Sequence, residues 1–413
     1  MGGSSKTSTS VLPRLFLLLL AVPALAGAAE GKTEFGGHTK LRVVSQTYPS
    51  DSLFRDLFGS HTEDTQGDLR LNLSHRQSGW TIDANYQLVA LHGETFILPN
   101  DRRRYFDLTS VIDQGSRSAL VHRLDRLWVG HTSEKTVVRF GRQALSWGNG
   151  LFYAPMDLVN PFNPAAVDTE YKAGDDMLYG QYLRDNGSDI QGAYVIRRDF
   201  LSGEAASGSA TTAVKYHGFR GEGEFDVLLA RHYRDDVLGF GASHAVGEAQ
   251  WSGDLVLTDT ETDTYVQLTT NLSYSWIWRG KNMSGVFEYH FNGLGQRSGH
   301  YDPLSLAGNP DLALRLARGE SFALGRHYLA TSIMIEMNPL WNLTPTLLMN
   351  VSDPSGLLQL VAQYSLSDNM ALLGSLNIPW GSSGSEFGGI ESGIADRYLS
   401  RNAGVFAQLA WYF

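Results

Sequence analysis

The 413-residue chain contains no cysteine. That excludes disulfide staples, an acylated cysteine anchor and thiol-attached haem, so an electron carrier would have to come from a separate molecule. Charge is sparse, with Asp, Glu, Lys and Arg making up 18% of residues. Beyond residue 30 no apolar run is long enough for a membrane helix, and helical periodicity is almost missing. Signatures of catalysis are missing too. The 12 histidines are scattered without zinc spacing, no HExxH or phosphate-cradling glycine motif occurs, and Ser243-His244 has no aligned base and orienter. No enzyme activity, no cofactor, no bound metal and no nucleic-acid partner are expected.

What the chain does have begins at its N-terminus. Lys6 and Arg14 precede an apolar run from Leu15 to Leu25 and small residues around Ala24 to Ala29. This is the order of a secretory signal peptide covering residues 1–26, with cleavage between 26 and 29. From residue 30 to residue 413 the pattern is period-two alternation. Leu69, Leu71 and Leu73 oppose Arg70, Asn72, Ser74 and Arg76, and Trp80, Ile82, Ala84, Tyr86 and Leu88 oppose Asp83, Asn85 and Gln87. The same split recurs from Val266 to Trp278 and from Leu358 to Tyr364. One face suits lipid and the other water. Short connections such as Gln77 to Gly79, Asp185 to Ser188 and Arg279 to Asn282 alternate with longer ones. The expected fold is all-β: one transmembrane antiparallel β-barrel of about eighteen strands, with sixteen as the alternative, and short turns on the periplasmic side.

The last strand places Val405, Ala407, Leu409, Trp411 and Phe413 on one apolar face ending on an aromatic. It resembles the C-terminal assembly signal of Gram-negative outer-membrane proteins. The resemblance implies the outer membrane of a Gram-negative bacterium as location, lipid and lipopolysaccharide as surroundings, and the outer-membrane assembly machinery as a partner through Phe413. The long loop that follows Gly141-Arg142-Gln143 resembles that of porin-like barrels and, more loosely, of alginate-export channels. Trp80, Trp276, Trp278, Tyr289, Trp380, Trp411 and Tyr412 sit near strand ends, where amphipathic rings favour the membrane interface.

Residues 142–175 carry three prolines, several aromatics and a charged tail. Too apolar to be disordered and too long for a tight connection, the segment is read as a loop folded into the lumen. Its Arg142, Asp157, Asp168, Glu170, Lys172, Asp175 and Asp176 are expected at the passage, beside inward Arg42, Arg70, Arg76 and Arg139 on early strands, with Lys40 and Gln143 nearby. Glu288 and Glu336 would form an acidic wall opposite, giving a transverse field. The arginines either favour anions or pair with Asp83, Asp168, Glu170 or Asp175 and pin the loop. Arg102, Arg103 and Arg104 could meet lipopolysaccharide phosphates, and Asp259, Glu261 and Asp263 could offer oxygens to calcium. The function these features point to is passive diffusion of small hydrophilic solutes, anions among them. A polysaccharide exporter, a sleeve around a periplasmic electron carrier and an outer-membrane hydrolase are the alternatives, and monomer or homo-oligomer is left open.

Overall fold

The computed structural model describes residues 31–199, 202–297 and 299–413, so the expected signal segment lies outside it. In chain order its strands are β1 (Lys32–Thr47), β2 (His61–Gln77), β3 (Trp80–His92), β4 (Thr109–Gln114), β5 (Ser118–Thr132), β6 (Thr136–Gln143), β7 (Asp175–Leu183), β8 (Asp189–Val195), β9 (Thr211–Arg220) and β10 (Gly223–His232). There follow β11 (Asp235–Val246), β12 (Ala249–Asp259), β13 (Thr264–Trp278), β14 (Lys281–Asn292), β15 (His327–Asn338), β16 (Trp341–Asn350), β17 (Ser355–Ser367), β18 (Met370–Trp380) and β19 (Gly404–Tyr412). Each pairs antiparallel with its neighbour, and β19 returns to β1 in the register Gln46↔Gly404 to His38↔Tyr412. β3 pairs directly with β5. Leaving out β4, the nineteen strands form a closed barrel of eighteen.

β4 explains itself by its position. β6 leaves the wall at Gln143, and β4 takes its place along the outer half of β5, from Thr109↔Arg123 to Gln114↔Ala119. Residues 93–117, loop 2, thereby complete a wall that β6 abandons.

The alternation read from sequence is the alternation of the wall. Leu358, Leu360, Tyr364, Val405, Leu409, Trp411 and Phe413 all face outward and exposed, as a lipid-facing band requires. Tyr412 is an exception among the expected interface aromatics. It lies on the inner face and its hydroxyl donates to Glu170, 2.9 Å away. At one end every hairpin is short. Ser78-Gly79 and Arg279-Gly280 each have two consecutive positive φ values, the backbone twist that two-residue hairpin turns need.

At the other end the connections are mostly longer, those at 233–234, 260–263 and 351–354 excepted, and among the described residues they carry three α-helices: α1 (Leu53–Phe58), α2 (Pro303–Ala307) and α3 (Pro310–Arg318). Asn309 caps α3 through Leu312 N, and Gly319 ends it in the left-handed region. The first connection at this end is short of strand-like alternation on both sides: β2 begins at His61 and pairs with β1 up to Thr47. Residues 61–66 stand where both faces are polar, so no alternation marks them as strand.

Candidate pore constriction

Residues 144–174, loop 3, run inside the barrel. The chain turns inward after Gly141, whose φ of 125° and close approach to Leu127 O leave no room for a Cβ. Trp147, Met156, Leu158 and Val159 then pack on an apolar patch of the inner wall made by Val137, Met177, Val195, Leu228 and Val256, among others. This patch spans β6 to β12 and is where the loop's apolar surface goes.

Two carboxylates on the far wall hold the loop's backbone. Asp254 accepts from Asn149 N at 2.7 Å, Gly150 N at 3.2 Å and Asn149 Nδ2 at 2.8 Å. Glu288 accepts from Leu151 N at 2.6 Å, Phe152 N at 3.1 Å and Tyr153 N at 2.8 Å. Multiple N–H donors are what an ionised carboxylate without a cation requires. Glycine clears the space: a Cβ at Gly241 would lie 2.6 Å from Asn149 Nδ2 and 2.9 Å from Asp254 Oδ1. The Tyr153 ring stacks on His290 at 4.8 Å.

The loop continues around the interior. Gln359 of β17 donates to Ala165 O at 3.0 Å. Asp168 meets Lys40 at 2.9 Å and Arg42 at 3.0 Å, and Glu170 meets Lys40 at 2.6 Å. The Arg70 guanidinium lies 3.9 Å from the centre of the Tyr171 ring and 2.5 Å from Asp125. Lys172 closes the circuit, its ammonium on both oxygens of Asp157 and on Leu145 O. Burial pushes Asp157 up to about 6 despite that ammonium. Burial works the same way on Asp168 and Glu170, but hydrogen bonds from Lys40 hold both below the usual carboxylate range.

The other sequence-derived residues divide by place. Arg139 lies on the inner face over Trp128 and Tyr179, at 5.0 and 5.8 Å, and has no ion pair among the described residues. Arg76 stands at the short-turn rim, exposed and 3.6 Å from Glu34. Glu336, near the same end, accepts from Asn282 at 2.7 Å. Arg142 is 1% exposed and bonds Asp176 at 2.9 Å, Asp101 at 3.0 Å and Phe106 O at 2.6 Å. It fastens loop 2 to the root of loop 3. Asp175 pairs with Arg197 at 2.8 Å, and buried Gln143 donates to Met177 O at 3.4 Å.

Arg123 and Arg126 join Lys40, Arg42, Arg70 and Arg139 on the inner face of β1 to β6, beside Asp68, Asp83, Asp125, Asp168 and Glu170. Six cations against five carboxylates make that side close to neutral. The opposite wall carries Asp226, Asp254 and Glu288, with Asp226 paired to Lys215 at 3.0 Å. Asp254 has no counterpart in the sequence reading. Its signal was an inward carboxylate in mid-strand, flanked by Gly253 and Leu255 with no nearby cation. Asp259, Glu261 and Asp263 bind protein partners instead, Glu261 facing Arg234 at 3.4 Å, and no group of three metal-ligating side chains occurs among the described residues.

No protein-family model and no curated protein matches the sequence. Solved structures do resemble it. Acinetobacter baumannii OccAB1 aligns with a TM-score of 0.54 at 9% identity over 94% of this chain and 98% of its own. A BenF-like porin from Pseudomonas fluorescens Pf-5 aligns at 0.51 and 8%, over 93% and 98%. Wzi, a carbohydrate-binding β-barrel involved in group 1 capsule assembly in Escherichia coli, aligns at 0.52 and 11%, over 97% and 88%. By fold the chain is a closed antiparallel β-barrel similar to these structures.

Proposed function

We propose that this barrel is an outer-membrane channel through which small hydrophilic solutes diffuse, narrowed by loop 3. The observation that carries the reading is the anchoring of loop 3 across the lumen by Asp254 and Glu288, which sets a fixed constriction between polar walls. Mechanism here is aperture and fixed charge rather than bond making. The unpaired Arg139 tilts a nearly balanced wall toward anions. A loop anchored across the lumen also leaves less room for a protein sleeve's cargo. Thr211 does bond His232, with Glu320 3.2 Å from the other ring nitrogen, yet the group is buried and Arg197 donates to the Thr211 hydroxyl at 2.6 Å, which disfavours a hydrolase.

One feature supports a second reading. Loop 3 is fixed to the wall on all sides, as suits a closed barrel that binds a sugar without passing it, and Wzi is a carbohydrate-binding barrel of similar fold. Single-channel recording of the refolded mature protein separates the two. Discrete stable openings, larger after deletion of Asn149 to Ala173, support the channel. A folded but silent barrel sinks it and favours the binder, and unchanged conductance after deletion sinks the constriction.

A further inference from the structure

At the short-turn mouth the inner wall of β13 to β16 leaves apolar side chains open to water. From Glu288 the inward face of β14 runs on through Val286 and Ser284 to Asn282. The strand register carries that face across to Ser275 and Ile277 of β13, and to Met334 of β15. Glu336 is the next inward residue of β15 and pairs in register with Asn342 of β16. On β13 the inward positions are polar from Gln267 to Ser275. Ile277 breaks the pattern, with its side chain on the lumen side and 74% exposed. Met334, also inward, is 44% exposed. Side chains that their own chain leaves uncovered gain little from folding, and such a patch marks a place where something else binds.

These residues border a cleft of about 450 Å³, in which Glu336 is the one charged group among the described lining residues. Its carboxylate accepts from Asn282 at 2.7 Å and has no ion pair among the described residues. Lys281, at the start of β14, does not neutralise it, because that ammonium donates to Met337 O at 2.7 Å. The Ser275 and Ser284 hydroxyls lie 3.3 Å apart on the same wall.

We propose that this cleft binds organic ammonium ions that carry a short apolar body. An ammonium brings several N–H donors and no acceptor, and Glu336, the Asn342 amide oxygen and the serine hydroxyls accept. Ile277 and Met334 cover the carbon chain, and the pliable thioether of Met334 adapts to its shape. A carboxylate on the same molecule would meet Glu336 as a like charge, so simple amines are favoured over amino acids. The cleft contains no residue of loop 3. Its binding therefore stands apart from the channel reading, and only its effect on current rests on that reading.

Methyl NMR of the refolded mature protein reads the site directly, because Ile277 and Met334 carry methyl groups inside it. Titration with n-butylammonium chloride should move both signals, assigned through I277V and M334L, along a saturating curve. n-Butanol, of similar size without charge, and butyrate, of opposite charge, should not saturate them. E336Q should weaken n-butylammonium by about fivefold, the order that a part-exposed ion pair contributes, and I277S should weaken it as well. A curve unchanged in E336Q, or n-butanol matching n-butylammonium, overturns the site. Equal displacement by sodium chloride also overturns it, since Glu336 would then act only as a screened surface charge. In a bilayer, n-butylammonium should interrupt the current at lower concentration from the short-turn side than from the long-loop side, and the reverse order would overturn this placement. A silent barrel whose Met334 methyl still saturates fails only as a channel, while a conducting barrel whose methyls ignore the amine fails only as an ammonium site.

Discussion

On the channel reading, Glu288 and Asp254 are the residues on which the constriction turns. Each receives three hydrogen bonds from loop 3, and a bond to a charged group contributes on the order of 2 kcal/mol. Glu288→Ala should therefore free Leu151 to Tyr153 from the wall. The expected outcome is a larger, noisier single-channel current with the barrel still folded, seen as unchanged heat-modifiable mobility on gels. A current identical to wild type would remove Glu288 from the mechanism. A second buried carboxylate lies among the long loops. Glu386 accepts from Tyr328 at 2.6 Å, Asn350 at 2.7 Å and Leu324 N at 3.0 Å, with Asp353 near and no cation paired to it among the described residues. Burial pushes it up to about 7 from the usual 4.5. A raised carboxylate stabilises the folded form fully below its unfolded pKa and loses that contribution as pH rises through the folded value. Hydrogen exchange in residues 293–326 and 381–403, corrected for intrinsic rate, should accelerate between pH 5 and pH 8, and E386Q should flatten the change. Equal protection at both pH values would contradict this.

At the scale of the element, how much could be read from sequence depended on whether a strand's environment was two-sided. β13 and β17 separate lipid from lumen, so their side chains declare both faces. β2 before Gly67 is polar on both faces and declared none. Loop 3 was legible from its aromatics, which demand burial, and its charged tail pointed to the passage. Its anchors were not legible, because Asp254 and Glu288 meet it only after β6 to β14 curl into a wall. Arg142 shows the limit best. Three residues from Arg139, it falls on the opposite face of β6 by simple alternation, and there it turns to Asp101, 41 positions earlier. The β4 patch was equally hidden, since only a gap left by β6 gives that short segment a partner.

For the molecule as a whole, closure depends on the last strand. Phe413 exchanges backbone hydrogen bonds with Gly37 at 2.9 and 3.1 Å, and its ring lies against that glycine. Removing Phe413 should lower the yield of folded barrel in outer membranes severalfold while leaving refolding in detergent less affected. An equal loss in both would assign the effect to barrel stability and not to recognition by the assembly machinery. The seam at β4 has a different consequence. Asp101 holds Arg104, Leu108 and Arg142 together, so loop 2 grips the base of the segment that, on the channel reading, narrows the lumen. Anything that grasps residues 93–117 from outside, an antibody or a phage protein, would act on transport by leverage without entering the pore. D101N weakens that lever, and a longer-lived set of subconductance levels in its recordings, absent from wild type, is the expected trace of it.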